Sequence, residues 1–433
     1  MSRLSDLAVR RDLPDLSQWI RPGDRVVCGQ VAAEPLTLTR ALVEQRARLG
    51  GVDVFVGTLF SDTFSPSKAD GLDFFSYGAM GRAASLASAG LLRIVPIHYS
   101  ELEPAFASGA LPADVALIQL APPRHGRGHS FGLANDYLVA AARRARVVVA
   151  EINPDAPWTH GAEVPADFRI DLAIEAACPP IEIRSDAAAG EVETRIAGHL
   201  AALIPDGATL QTGIGNLPDA LLAGLSGHRD LGLHSGLLGD RAIELIEAGV
   251  VTNARKTIDA GITVTNLVGG SARARKHVDD NPAFEVRPAV YTHGADTLAR
   301  IDRLYAINSV LEVDLSGQAN AETLGGAARG GVGGLNDFVR GARRSAQGRS
   351  ILALPATTGD GRRSRIVPRL ASGTATVTRS DVDLVATEWG VADLRHRDLE
   401  ERARRLIAIA APQFRDALER ALREPDSWME QTR

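Results

Sequence analysis

The sequence predicts an α/β protein built from two similar open α/β domains, and three observations carry that expectation. Short β-branched runs alternate with longer stretches of helical periodicity, the pattern of parallel strands joined by crossover helices. At 433 residues the chain exceeds one ordinary core, and because α/β domains run larger than the typical ~150 residues, two domains are expected. Two segments also share an order of turn glycine, strand, glycine loop and proline-started helix: RPGDRVVCGQVAAEPLTLTRAL from Arg21 and PDGATLQTGIGNLPDALLAGL from Pro205. In the first, Gly29 and Pro35 follow Gly23 by six and twelve positions; in the second, Gly213 and Pro218 follow Gly207 by six and eleven. A duplicated unit is the simplest reading of that spacing.

In chain order, the strands are expected at Arg25 to Cys28, Val52 to Val56, Val115 to Gln119, Val147 to Ile152, Thr209 to Thr212, Ile262 to Leu267, Ile351 to Leu354 and Leu384 to Ala386. Helices are expected at Pro35 to Arg46, Tyr137 to Arg144, Glu191 to Leu203, Pro218 to Leu225, Arg241 to Glu247 and Glu400 to Ala410. Composition changes between Cys178 and Gly190, in CPPIEIRSDAAAG, so the domains are expected to be residues 1–185 and 186–433. Both glycine loops then lie at the carboxyl ends of first strands, where open parallel sheets bind ligands, and function is expected between the domains.

Bulk properties narrow the function. Net charge is -5 and the arginines are interspersed with acids rather than gathered into a basic stripe, which argues against nucleic acid as a partner. No apolar run approaches the ~20 residues that span a bilayer, and MSRLSD leads into charged residues without a signal-peptide core, so a cytoplasmic protein with no membrane partner is expected. Cys28 and Cys178 stand far apart and outside any metal spacing; both read as small buried apolar residues. His125 and His129, in PPRHGRGHSFG, are four apart, a spacing that converges only on a helix, and the intervening glycines indicate a loop. No metal site is expected there; the basic, glycine-rich segment reads instead as a contact for an anionic substrate.

Two glycine-rich loops are candidates for ligand contact. In QTGIGNLPDA, Gly213 and Gly215 allow close backbone approach, and the N–H groups of the helix starting near Asn216 point toward negative charge. The loop is not GxGxxG, because Pro218 replaces its third glycine, so a dinucleotide is poorly supported. The second concentration, GGAARGGVGGLNDF from Gly325, precedes the helix-like FVRGARR and follows the strand-like AINSVLEVDLSGQANAE. Gly331, Gly333, Gly334, Leu335 and Asn336 are its candidate ligand contacts.

From about residue 20 to residue 420 the chain resembles the acetyl-CoA hydrolase/4-hydroxybutyrate CoA-transferase family, the single-chain family I CoA-transferases. The resemblance is carried by GDRVVCGQVAAEPLTL, SGALPADVALIQLAPP, TLQTGIGNLPDALLAGL, LGLHSGLLGD with GVVTNARKT, AINSVLEVDLSGQANAETLGG, GGVGGLNDFVRGA, SRIVPRLASG and DLVATEWGVADLR, in that order. It implies two CoA-transferase-type α/β domains with the active site in the cleft between them, and a homodimer. It also implies a coenzyme A thioester as substrate, with no permanently bound cofactor, and a carboxylic acid as possible second partner. In the family, CoA passes between acids through an enzyme glutamyl-CoA thioester.

The family's pattern at this strand end is His-Thr-Glu-Met followed by Ser-Asp-Gly, with the glutamate as nucleophile. Here the matching residues are His234, Ser235, Gly236 and Leu237, then Gly239, Asp240 and Arg241. Glycine has no atom able to form the covalent intermediate, so glutamyl chemistry cannot occur at Gly236. Other departures accompany it: Leu335 replaces the glutamine of Gly-Gly-Gln-x-Asp-Phe, Arg124 to Arg127 replace Asp-Glu-His-Gly in uncertain register, and Ala411 replaces the histidine of Ile-Ala-His-Pro.

Several residues could replace the glutamate. Ser235 is a candidate nucleophile, although strand alternation would put His234 on the opposite face, where it could not serve as base. Asp240 could hold a water as general base, or could cap the RAIELIE helix. Glu34, in the first glycine loop, could act as base or serve helix-start electrostatics, and Glu388, in TEWG, could act as base or hold the domain interface. The leading expectation is an acyl-CoA-processing enzyme that hydrolyses a thioester, or a carbon–carbon bond next to one, without a glutamyl-CoA intermediate. The alternatives are a CoA-transferase drawing on another carboxylate and a non-catalytic CoA-binding homologue.

Overall fold

The computed structural model describes residues 8–184, 189–371 and 373–423. Two eight-stranded sheets organise it. From edge to edge the first runs Val9–Arg10, Leu172–Glu175, Val147–Ile152, Val115–Leu120, Arg25–Cys28, Val52–Phe55, Leu72–Ser76 and Leu92–Ile94. The second runs Phe284–Val286, Thr263–Val268, Gly232–Leu238, Thr209–Gln211, Leu304–Ser309, Arg349–Ala353, Leu384–Thr387 and Gly390–Asp393. With Val9–Arg10 and Gly390–Asp393 set aside as additions, and the remaining strands of each sheet numbered in chain order, both read 4-3-2-1-5-6-7. The two glycine-loop segments begin at equivalent central strands. Within these two sheets every pairing is parallel except that of the last strand, Gly390–Asp393, with Leu384–Thr387.

The central strands are buried on both faces, which is why Val115–Leu120, Val147–Ile152 and Thr263–Val268 read as runs rather than alternations. Local chemistry closes the helices between them. The helix Leu36–Leu49 ends at Gly50, whose φ of 74° is the left-handed C-terminal stop, and Tyr137–Arg144 starts where Asp136 accepts the Leu138 N–H.

Sequence periodicity placed most central elements to within a few residues and missed those that carry mixed signals. Leu72–Ser76 interrupts its apolar run with Asp73, and Leu92–Ile94 is an exposed edge with Arg93 at its centre. Tyr99–Ser108 is helical with Pro104 inside it, where a proline lowers helical expectation. The expected domain boundary, between residues 185 and 186, lies outside the described residues.

The halves meet through backbone. Asn135 N–H donates to Asn266 O at 3.1 Å, Val268 N–H to Leu133 O at 2.9 Å, Ala79 N–H to Gly330 O at 2.8 Å and Tyr99 N–H to Gly333 O at 3.0 Å. A Cβ on Gly331 would lie 2.8 Å from the Cα of Gly78, so glycine at both positions lets the chains touch. The basic loop expected to meet an anionic substrate is instead spent on this seam: Arg124 pairs with Asp279 and Arg127 with Asp280, each at 2.6 Å. His129 is buried with Nδ1 2.9 Å from Ala121 O, while His125 is exposed. No described helix is long and apolar enough to cross a membrane.

Candidate active site

The strand Gly232–Leu238 lies between Thr209–Gln211 and Thr263–Val268, and its carboxyl end opens at the seam. Strand geometry continues through Gly236 to Leu238, so His234 and Ser235 do face opposite ways. Ser235 is fully buried, and its hydroxyl donates to Thr212 O at 2.6 Å. It meets neither a base nor the cavity beyond.

That inner cavity, of 220 Å³, draws Val31, Thr58, Tyr77, Met80 and Tyr99 from the first half. The second half contributes Gln211 to Gly213, Gly236, Leu237, Leu267, His293, Asn308, Gly333 to Leu335 and Phe338. None of these side chains is an aspartate, glutamate, lysine or arginine. The volume in front of Gly236 is occupied by an imidazole: a Cβ there would lie 2.8 Å from His293 Nε2, and one on Gly334 would lie 2.6 Å from the same atom. The imidazole edge is thus held between two glycines that also line the cavity. The His293 ring packs between Tyr99 and Phe338, with centroid distances of 4.7 Å to each.

The hydrogen-bond network positions both rings. His293 Nδ1 lies 2.8 Å from Thr292 Oγ1, which itself lies 3.3 Å from Pro288 O. His293 Nε2 makes no hydrogen bond among the described residues. His234 Nε2 lies 3.0 Å from Thr292 O and must donate to it. Burial, and then the neighbouring His234, lower the His293 pKa to about 3; burial, and then Lys256, do the same for His234. Both rings are neutral near neutral pH. Lys256 is itself pushed down to about 7 by burial while donating to Leu233 O at 3.0 Å and Ile262 O at 2.7 Å. Thr212 completes the set: its buried hydroxyl has no hydrogen-bond partner among the described residues.

The same segments continue into a second, outer cavity of 580 Å³ lined by Ile214 to Asn216, Gly239 to Arg241, Arg184, Ser271 and Arg273, among others. Two helices, Asn216–Gly224 and Asp240–Glu247, begin there behind Gly215 and Gly239, and neither start has a side-chain cap. Gly215 has φ +118°, a conformation effectively reserved for glycine. Asp240 does not cap its own helix: its carboxylate accepts from Ser271 N–H at 3.0 Å and Ser271 Oγ at 2.8 Å, ahead of Ala272–Val278.

The remaining candidates lie elsewhere. Glu34 is fully buried, accepts from the Thr39 and Ser61 hydroxyls at 3.0 and 2.9 Å, and has its pKa raised by that burial. Glu388 accepts from Ala356 N–H at 2.8 Å, within the second half rather than across the seam. Asn336 is buried beneath the loop, donating to Thr376 O at 2.8 Å, and Gly331 packs on Gly78. Of the second glycine cluster, Gly333, Gly334 and Leu335 reach the inner cavity. Sequence reasoning missed His293 and Thr212. The one available signal was a His-Gly pair at the end of the short helix Ala289–Thr292, where a Cβ on Gly294 would sit 2.3 Å from Val290 O.

Comparison with known proteins agrees with this fold. Residues 14–173 match the acetyl-CoA hydrolase/transferase N-terminal domain and residues 270–422 its C-terminal domain. The chain is 38% identical over 398 residues to the 4-hydroxybutyrate coenzyme A transferase of Clostridium kluyveri, covering 91% of this chain and 92% of that one. It is 32% identical over 214 residues to the acetyl-CoA hydrolase of Yarrowia lipolytica, covering 48% and 39% of the two chains. Among solved structures, RipA from Yersinia pestis superposes with a TM-score of 0.87 at 32% identity, covering 94% of this chain and 95% of that one. Two domain matches in sequence order, and relatives that span nearly the whole chain, place this protein in the acetyl-CoA hydrolase/transferase family of enzymes.

Proposed function

We propose that the protein hydrolyses acyl-CoA thioesters by direct attack of water, without a glutamyl-CoA intermediate. The observation that carries this reading is the inner cavity, which has no carboxylate in its lining and glycine at position 236. Covalent transfer of CoA needs a nucleophile that survives while the first acid leaves and the second enters, and no lining side chain fits that role. Water needs no such residence. It needs an acceptor for its proton, and the cavity holds a neutral imidazole, that of His293.

The two cavities divide the substrate. The outer one, with two helix starts and with Arg184, Arg241 and Arg273 set among Asp219, Asp240 and Glu244, suits the polar part of CoA. Gly213 lines the inner cavity next in sequence to Ile214 of the outer one, and a Cβ there would meet nothing within 4 Å. The inner cavity suits an uncharged acyl group, because a terminal carboxylate there would be desolvated with no cation to pair it.

The test is turnover of neutral and dicarboxylic acyl-CoA esters, with release of free CoA measured in water alone and with a labelled carboxylic acid present. This reading expects CoA release in water alone, and a preference of about 100-fold or more in kcat/KM for neutral acyl groups. Incorporation of the labelled acid into a new thioester at a rate matching or exceeding CoA release would make the protein a transferase instead. CoA binding without turnover would make it a binding homologue.

A further inference from the structure

We propose that His293 is the catalytic base, taking the place of a side chain at position 236 both in space and in chemistry. The inference rests on the hydrolytic reading above and adds the group that performs it. Three features of the structure lead to it. The imidazole fills the volume a side chain at Gly236 would enter, with Nε2 only 2.8 Å from that Cβ position. Nδ1 is engaged by the Thr292 hydroxyl at 2.8 Å, and in the tautomer where Nδ1–H donates to it, Nε2 carries the free lone pair. The ring is clamped between Tyr99 and Phe338, and it lines the cavity that would hold the thioester. A base held in one rotamer by packing, with one nitrogen tied and the other open to the cavity, is pre-organised for proton transfer.

The step balances without a co-reactant. An O–H bond of water breaks as its oxygen bonds to the thioester carbonyl carbon, and the proton passes to His293 Nε2. The carbon–sulfur bond then breaks, the sulfur leaves with the bonding pair, and the imidazolium returns its proton to the thiolate. The products are the free acid and free CoA, and the imidazole is neutral again. The imidazolium exists only while negative charge is present on the tetrahedral centre or the sulfur, which compensates it in a cavity that otherwise disfavours charge.

The same geometry makes a second demand. Glutamate introduced at position 236 of the otherwise unchanged chain would collide with the ring, so Gly236→Glu alone should not restore a covalent route. Removing the ring at the same time should.

The experiment has two arms on the full chain. In the first, His293→Gln and His293→Gly are compared with the unchanged protein for acyl-CoA hydrolysis. The expected result is a loss of about 100-fold or more in kcat with KM within a few-fold, and partial rescue of His293→Gly by added imidazole. In the second arm, Gly236→Glu and the double variant Gly236→Glu/His293→Gly are incubated with acyl-CoA and weighed intact, and only the double variant is expected to gain the mass of CoA. Unaltered kcat in His293→Gln, or an adduct formed equally by Gly236→Glu alone, would overturn the proposal. If the unchanged protein releases no CoA into water, the hydrolytic reading fails by itself, and the adduct arm still reads whether His293 holds the volume.

Discussion

The two halves share a strand order but treat the carboxyl end of the first strand in opposite ways. In the first half, Gly29 follows Arg25–Cys28, and a Cβ there would meet Ala33 O at 2.3 Å; glycine is required for the loop to pack on itself. In the second half, Gly213 follows Thr209–Gln211, and a Cβ there would meet nothing within 4 Å. The helix that follows shows the same division. The start of Leu36–Leu49 is satisfied from within, since Glu151 accepts from Thr37 N–H at 2.8 Å and Leu38 N–H at 3.1 Å. The start of Asn216–Gly224 has no side-chain cap and lines a cavity. A helix N-terminus attracts negative charge in both cases; the first half answers it with Glu151 from another strand, whereas the second carries Asp219 in its own first turn and faces a cavity. Duplicated topology therefore supplies two equivalent positions, and side-chain economy at each decides which becomes a site.

The sharpest way to break this comparison is a matched pair of substitutions. Gly29→Ala should destabilise the fold by about 3 kcal/mol, because backbone must move to admit the methyl group, whereas Gly213→Ala should change stability by less than ~0.5 kcal/mol. Thermal or denaturant unfolding of the two variants reads this directly. Gly213→Ala should instead raise KM for acyl-CoA, since the added methyl enters open space at the inner cavity. Equal destabilisation by both would erase the distinction.

A step smaller is the effect expected at Thr212. Thr212→Val removes a buried hydroxyl that has no partner among the described residues while keeping its shape, so kcat should stay within a few-fold and stability should hold or rise by up to about 1 kcal/mol. A fall in kcat of roughly 100-fold would instead place that hydroxyl at the reacting carbonyl.

The smallest effect concerns the self-capped helix of the first half. Burial, partly offset by the bonds from Leu38 and Thr37, raises the Glu151 pKa from the ordinary glutamate value to about 7. The folded protein thus holds this proton more firmly than the unfolded chain. Its contribution to stability is fully present below the unfolded value and declines as pH rises from there through about 7. Glu151→Gln should make the loss of stability between pH 4.5 and 7 shallower, as read by unfolding midpoints across that range. An unchanged slope would mean that the carboxylate is not desolvated as the structure indicates.

How much of this was legible beforehand follows from the range of the interactions involved. Val147–Ile152 and Tyr137–Arg144 were readable to the residue because a run of β-branched side chains and an Asp-led amphipathic segment are local signals. Gly213, Gly215 and Asn216 stood out in the sequence for the same reason, and all three line the cavities. His293 did not. Its relation to Gly236 spans the sheet, and nothing in the letters Tyr291 to Gly294 says that this ring enters the volume before another strand's glycine. The reading of Arg124 and Arg127 as anion contacts failed similarly, because their partners Asp279 and Asp280 lie in the other half of the chain. Asp240 was expected to cap the nearest helix and instead supports the one after it, through Ser271. Non-local pairing sets each of these outcomes.

The central claim is that water, and no carboxylate of the enzyme, attacks the thioester. A single turnover with enzyme in excess over a neutral acyl-CoA, run in heavy-oxygen water and read by mass spectrometry of the released acid, tests it most directly. Direct attack predicts one heavy oxygen in every acid molecule formed in that first turnover. An acid released without label, its new oxygen drawn from an enzyme carboxylate, would contradict the account.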